Sequence, residues 1–187
     1  MSSKPPVLEL STPRTRTSPR GPRFSPPRTK TRPRGPRFWI GAWLPVALGI
    51  CVMALESTPA FGSDRTSGPL RWLVQLVFGQ LNDPAWEIVH HLIRKTGHFV
   101  GYGALGWVWL RAWRMTFPGA RFLSHAGLAL LGTALVASSD EWHQCFLPNR
   151  SGSPWDVLLD CCGAAAMIGI TGLCLRCFRP APAVLED

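Results

Sequence analysis

A chain of 187 residues with a formal net charge of +9 has room for one domain and a tail, and its charge is strongly segregated. The first 37 residues hold nine of the 18 prolines and ten of the 20 lysines and arginines, with Glu9 as their only acid. Such a segment has too little to bury to offset its ordering entropy, which excludes a packed domain there; the remainder of the chain is far more apolar and reads as a membrane protein.

Residues 1–37 are expected to be a disordered, basic, Pro/Arg-rich arm containing an imperfect duplication, PRGPRF at 19–24 and again at 33–38. Beyond Phe24 it lacks the interleaved aromatics that stack on bases, so no nucleic-acid partner is assigned. Contact with anionic membrane lipid, at about 1 kcal/mol per basic residue near the surface, explains it more simply. Phe38 to Leu55 is an uncharged run whose helix would be about 27 Å long, close to the hydrocarbon thickness. It is the first span, expected over 38–55, and no clean small-x-small cleavage pattern comes after it, so it is taken as a retained anchor.

PLRWLVQLVFGQLND, residues 69–83, is bounded by Pro69 and Pro84 and predicts a short helix on the outer leaflet, with partial insertion left open. Next, only the stretch Phe99 to Leu110 separates His98 from Arg111. A crossing helix needs roughly 20 residues, so this span is expected over 92–113, drawing His98 and Lys95 toward the outer bilayer. Apolar runs at 121–140 and 157–175 complete four spans, and a short tail occupies 179–187. The expected fold is therefore an all-α integral membrane protein: a four-helix transmembrane bundle over 38–178, with one interfacial helix and a disordered N-terminal arm.

Basic residues orient it. With the amino terminus inside, 15 lysines and arginines lie inside and five outside, namely Arg65, Arg71, Arg94, Lys95 and Arg150. The positive-inside rule thus places both termini in the cytoplasm. Trp39, Trp43 and Trp113 fall near the inner boundary and Trp72, Trp86, Trp142 and Trp155 near the outer one, as an interfacial aromatic belt requires.

Polar residues gather at the outer ends. Lys95, His98 and Tyr102 stand at i, i+3 and i+7 and share a helix face; Asp156 and Asp160 are four apart and share another. Asp140, Glu141 and Gln144 end the third span, Arg150 sits in the turn after it, and Glu56 emerges from the first span at the same level. Charges at this depth are costly when unpaired, so they should point inward, with Lys95 and Arg150 meeting Glu141, Asp156 and Asp160.

These residues carry a resemblance. RKTGHFVGYGALG, then SSDEWHQCFLPNRSGSPWDVLLDCCGA, resembles the VanZ family of bacterial membrane proteins through Lys95, His98, Tyr102, Asp140, Glu141, Gln144, Phe146, Pro148, Arg150, Asp156 and Gly163. Two positions depart from the family pattern: Asp160 stands where it often carries Asn, and Asn149 where it usually carries Gly. The resemblance implies a role in the bacterial cell envelope, at the inner membrane, linked to tolerance of teicoplanin-type glycopeptide antibiotics. It specifies no reaction.

The polar cluster admits three readings. It is an outward-facing pocket for a lipid-linked envelope precursor or a glycopeptide, with Lys95 and Arg150 as anion contacts. Alternatively it is a membrane-embedded acid-base enzyme acting on an envelope lipid, with Glu141, Asp140 and His98 as the catalytic candidates. In the third reading it is an ion-pair cluster that only sets helix packing. No serine-hydrolase signature surrounds Ser138, Ser139 or Ser151. A metal set of His98, Glu141 and His143 is disfavoured, because Glu-x-His spacing does not put two ligands on one helical face and leaves His143 toward the interface. No metal or cofactor is assigned. The six cysteines read as small hydrophobes, CLRC at 174–177 lacking a second pair for zinc. Gly163, Ala166, Gly169 and Gly172 permit close helix contact within the bundle or between protomers, which leaves a homo-oligomer open.

Overall fold

The computed structural model describes residues 34–59, 63–147 and 152–178. Among these there are five helices and no strand: α1 (Pro36–Glu56), α2 (Ser63–Phe78), α3 (Asp83–Thr116), α4 (Phe122–Gln144) and α5 (Pro154–Cys177). Most of the basic arm, the turn containing Arg150, and the C-terminal tail lie outside the described residues. Local chemistry sets the helix starts. Pro36, Pro84 and Pro154 sit in first turns, where a missing N–H costs nothing. Asn82 caps α3 by accepting from the Ala85 N–H at 3.0 Å, and Ser153 Oγ caps α5 by accepting from the Trp155 N–H at 3.3 Å.

Three helices, α1, α4 and α5, are long and apolar enough to cross a membrane. The expected four are not matched on that standard. α3 has 34 residues, about 51 Å of helix, but it is punctuated by Asp83, Glu87, Arg94, Lys95, Arg111 and Arg114. Its position accounts for this polarity. α3 is the central helix, packed against α1, α2, α4 and α5, so much of its surface meets protein rather than the surroundings.

The packing is inside-out relative to a water-soluble bundle. Leu44, Leu48, Val52 and Leu55 of α1, Leu131 and Leu135 of α4, and Ile170 and Leu173 of α5 are exposed, while Ala42, Ala112, Ala129, Ala137 and Ala164 are fully buried. Large apolar side chains outside and small ones between helices are what a hydrocarbon solvent selects, because close backbone approach rather than water exclusion drives helix association there.

The α3–α5 seam is the tightest contact. A Cβ added to Gly163 would collide with the Phe99 carbonyl oxygen, and one on Gly106 would lie 2.7 Å from Ala164 Cβ. Of the small residues expected to form a packing stripe, Gly163 faces α3 and Gly172 meets Phe122 of α4, whereas Gly169 faces open space and Ala166 is exposed. A three-residue spacing drifts around a helix of 3.6 residues per turn, so one stripe serves more than one surface.

A second seam repairs a defect. Pro45 lies inside α1 and has no N–H to give the carbonyl of Gly41, four residues back. Arg111 of α3 donates to that oxygen from Nη1 at 2.8 Å. At the same end Arg34 donates to the Met115 and Thr116 carbonyls at 2.8 and 2.7 Å, satisfying the last turn of α3.

Other expectations need correction. α2 begins at Ser63, so Pro69 lies within the helix rather than at its boundary. Trp86 is not a belt residue: it is 5% exposed, its Nε1 donates to Ser67 Oγ at 2.8 Å, and Arg71 lies over its ring. Trp72, Trp142 and Trp155 are exposed, while Trp43 packs edge-on against Trp109 and Trp113.

Candidate functional site

The first half of α3, the end of α4 and the start of α5 meet at one end of the bundle. Lys95, His98 and Tyr102 project from α3 at the spacing that stacks them on one face, and His98 lies parallel to the Tyr102 ring. Each meets a carboxylate on another helix. Lys95 Nζ pairs with Asp156 Oδ1 of α5, both side chains being about one-third exposed. His98 Nδ1 lies 3.6 Å from Asp160 Oδ1, also of α5. The Tyr102 hydroxyl donates to Asp140 Oδ2 of α4 at 3.1 Å.

Glu141 finds its partner on the backbone. It is 5% exposed, and its Oε2 accepts from the Ser153 N–H at 2.7 Å, tying the last turn of α4 to the N-cap of α5. The connection is tight: a Cβ on Gly152 would collide with the Glu141 carbonyl oxygen and fall 2.5 Å from Cys145 Sγ. Gln144 is buried at the same end.

Four carboxylates therefore converge, and the cations do not balance them. Asp140 Oδ1, Glu141 Oε1 and both oxygens of Asp160 are buried without a hydrogen-bond partner among the described residues. Asp160 is fully buried. An unpartnered carboxylate oxygen in a protein interior is expensive, because it loses hydration and gains nothing in return.

Not every expected member is placed here. Arg150 lies outside the described residues. Lys95 meets Asp156 rather than Glu141 or Asp160. Glu56 is exposed and bonds to none of the described residues. His143 turns away from Glu141: its Nδ1 lies 3.0 Å from the hydroxyl of Ser57, a buried residue at the C-cap of α1. No three His, Cys, Asp or Glu side chains among the described residues lie close enough together to hold a metal ion. Sequence reasoning anticipated Gly152 as the turn residue of this connection but missed Ser57 and the Ser153 amide. Backbone donors leave no trace in residue type, although Ser153 before Pro154 is a readable helix start.

Chemically, the cluster is an acceptor-rich site. It offers carboxylate oxygens to hydroxyl or ammonium donors, with one imidazole and one phenol able to carry protons between them. A family profile described as VanZ/LLP1 matches residues 42–175, which run from the first turns of α1 to the last of α5. Neither the curated proteins nor the solved structures compared with the chain match it. The matched stretch takes in the whole helical body and every residue of the cluster, and the chain belongs to the VanZ/LLP1 family.

Proposed function

We propose that this chain is a four-span protein of the bacterial inner membrane, with both termini cytoplasmic, whose outward polar cluster binds a donor-rich envelope ligand. The ligand class is a lipid-linked envelope precursor or a glycopeptide, and the consequence is tolerance of teicoplanin-type antibiotics. α3 is the fourth span. A helix screened by four neighbours can cross with a polar face that no lipid touches.

The observation that carries the binding reading is the set of buried carboxylate oxygens on Asp140, Glu141 and Asp160 that have no hydrogen-bond partner among the described residues. A cluster serving only to set helix packing has every reason to satisfy such atoms, whereas a site awaiting hydroxyl or ammonium donors leaves them open. The anion-contact role of Lys95 recedes, since Asp156 neutralises it. Recognition then runs through acceptors, with Lys95 holding Asp156 in place.

Growth of a susceptible bacterium expressing the full chain tests this. The wild type should raise the teicoplanin-type glycopeptide concentration needed to stop growth, and Glu141→Gln and Asp160→Asn should each lose most of that gain at equal membrane abundance. Full tolerance in both variants would sink the reading. A second reading rests on the Tyr102–Asp140 hydrogen bond at 3.1 Å, which suits proton transfer, with His98 standing 3.6 Å from Asp160 and needing to close on it. It requires product formation from an envelope lipid that His98→Gln abolishes.

A further inference from the structure

The opposite end of the bundle holds a different site. The last turns of α3, the first turn of α4 and the end of α5 enclose a cavity of about 1210 Å³. That exceeds the roughly 300–1,000 Å³ of an ordinary small-ligand pocket. Arg111, Arg114, Arg121 and Arg176 line it, and among the described residues no acidic side chain does. Arg111 is committed to the Gly41 carbonyl. The other three make no ion pair among the described residues, whose salt bridges all lie elsewhere.

Two features add to the positive field. Arg121 occupies the N-cap of α4 without a side-chain cap, so the positive end of that helix dipole opens toward this region. Guanidinium groups also stay charged at any physiological pH and offer the planar fork that grips phosphate oxygens. The walls have the opposite character. Leu110 closes the inner side and is 1% exposed, while Leu123 and Leu173 are 72% and 62% exposed and run out onto the lipid-facing surface. Gly169 completes the wall with nothing within 4 Å of where its Cβ would stand.

We propose that this groove is a binding site for an anionic glycerophospholipid of the adjoining leaflet, its phosphate held by Arg114, Arg121 and Arg176 and an acyl chain laid along Leu123, Gly169 and Leu173. A charged mouth with apolar walls open to the bilayer matches a lipid on both counts. A free phosphate would have no use for the walls, and a zwitterionic lipid would leave the charge unmatched.

Native mass spectrometry of the full chain in detergent, titrated with phosphatidylglycerol or phosphatidylcholine of identical acyl chains, tests the assignment. Phosphatidylglycerol should be retained in preference, and Arg114→Gln/Arg121→Gln/Arg176→Gln should weaken it at least about tenfold, the basic arm being present throughout. Gly169→Leu keeps every charge but fills the wall, and should weaken retention as well. It carries the test alone if the triple variant does not fold. Equal retention of the two lipids, or undiminished retention in Gly169→Leu, overturns the proposal. So does stabilisation of the wild type by inorganic phosphate equal to that by phosphatidylglycerol, which would mark a plain anion site.

Discussion

Glu141 shows how one residue can serve architecture and chemistry with different atoms. Its Oε2 holds the Ser153 amide, while Oε1 is buried with no donor among the described residues. Glutamine in its place keeps an acceptor for Ser153 and removes the buried charge. The melting temperature of Glu141→Gln in detergent should therefore hold or rise, by about 2–4 °C for each kcal/mol of relieved desolvation. A fall of many degrees would mean that the charge is paired for stability and the cluster is structural. Tyr102→Phe is the contrast. It strips the half-buried Asp140 of its hydrogen-bond donor among the described residues, so stability should drop by about 1–3 kcal/mol.

At the scale of elements, the instructive pair is α1 and α3. Pro45 leaves the Gly41 carbonyl unsatisfied within α1, and Arg111 supplies the missing donor across the seam. Gly41 stands between Trp39 and Trp43 and the bond is exposed, so the rescue acts chiefly by tying α1 to α3 across the seam. A double-mutant cycle exposes the coupling. Arg111→Met should destabilise the wild-type background by about 1–3 kcal/mol and cost clearly less in Pro45→Ala, where the helix supplies its own N–H. Equal costs in both backgrounds would show that Arg111 stabilises the fold other than through the Gly41 carbonyl. The α3–α5 seam rests on a different device, since Gly163 and Gly106 bring two backbones together where any larger side chain would intrude.

For the whole molecule the decisive quantity is the number of crossings. Three helices qualify on apolarity alone, and the proposed fourth crossing, α3, rests on its sheltered position. The two topologies place the ends of α4 and α5 on opposite sides. With an inside amino terminus and four crossings, Cys145 emerges outside and Cys177 inside; with three, the sides exchange. Both cysteines are exposed and unbridged. In full-length chains retaining one or the other, a membrane-impermeant thiol reagent should label Cys145 on intact cells and Cys177 only after permeabilisation. The reverse pattern removes either α3 from the membrane or the amino terminus from the cytoplasm, and in both cases the proposed outward site with it.

The apolar runs of α1, α4 and α5 were legible from composition, because a segment's hydropathy is a property of its own residues. So was the shared face of Lys95, His98 and Tyr102, which comes from helical geometry alone; the start of α3 was not, since a span was expected from residue 92 and the helix begins at Asp83, where Asn82 caps it. The family was legible too, in an ordered set of motifs. Partnership was not. That Lys95 takes Asp156, that Glu141 takes a backbone amide, that His143 takes Ser57, and that Arg111 mends the break at Pro45 all depend on which helices lie side by side. Trp86 illustrates the limit: its place near the expected outer boundary suggested a belt residue, and only the approach of α2 buries it against Ser67 and Arg71. Tertiary structure alone decided which charges are satisfied, because pairing is a property of distances between elements that no single segment encodes.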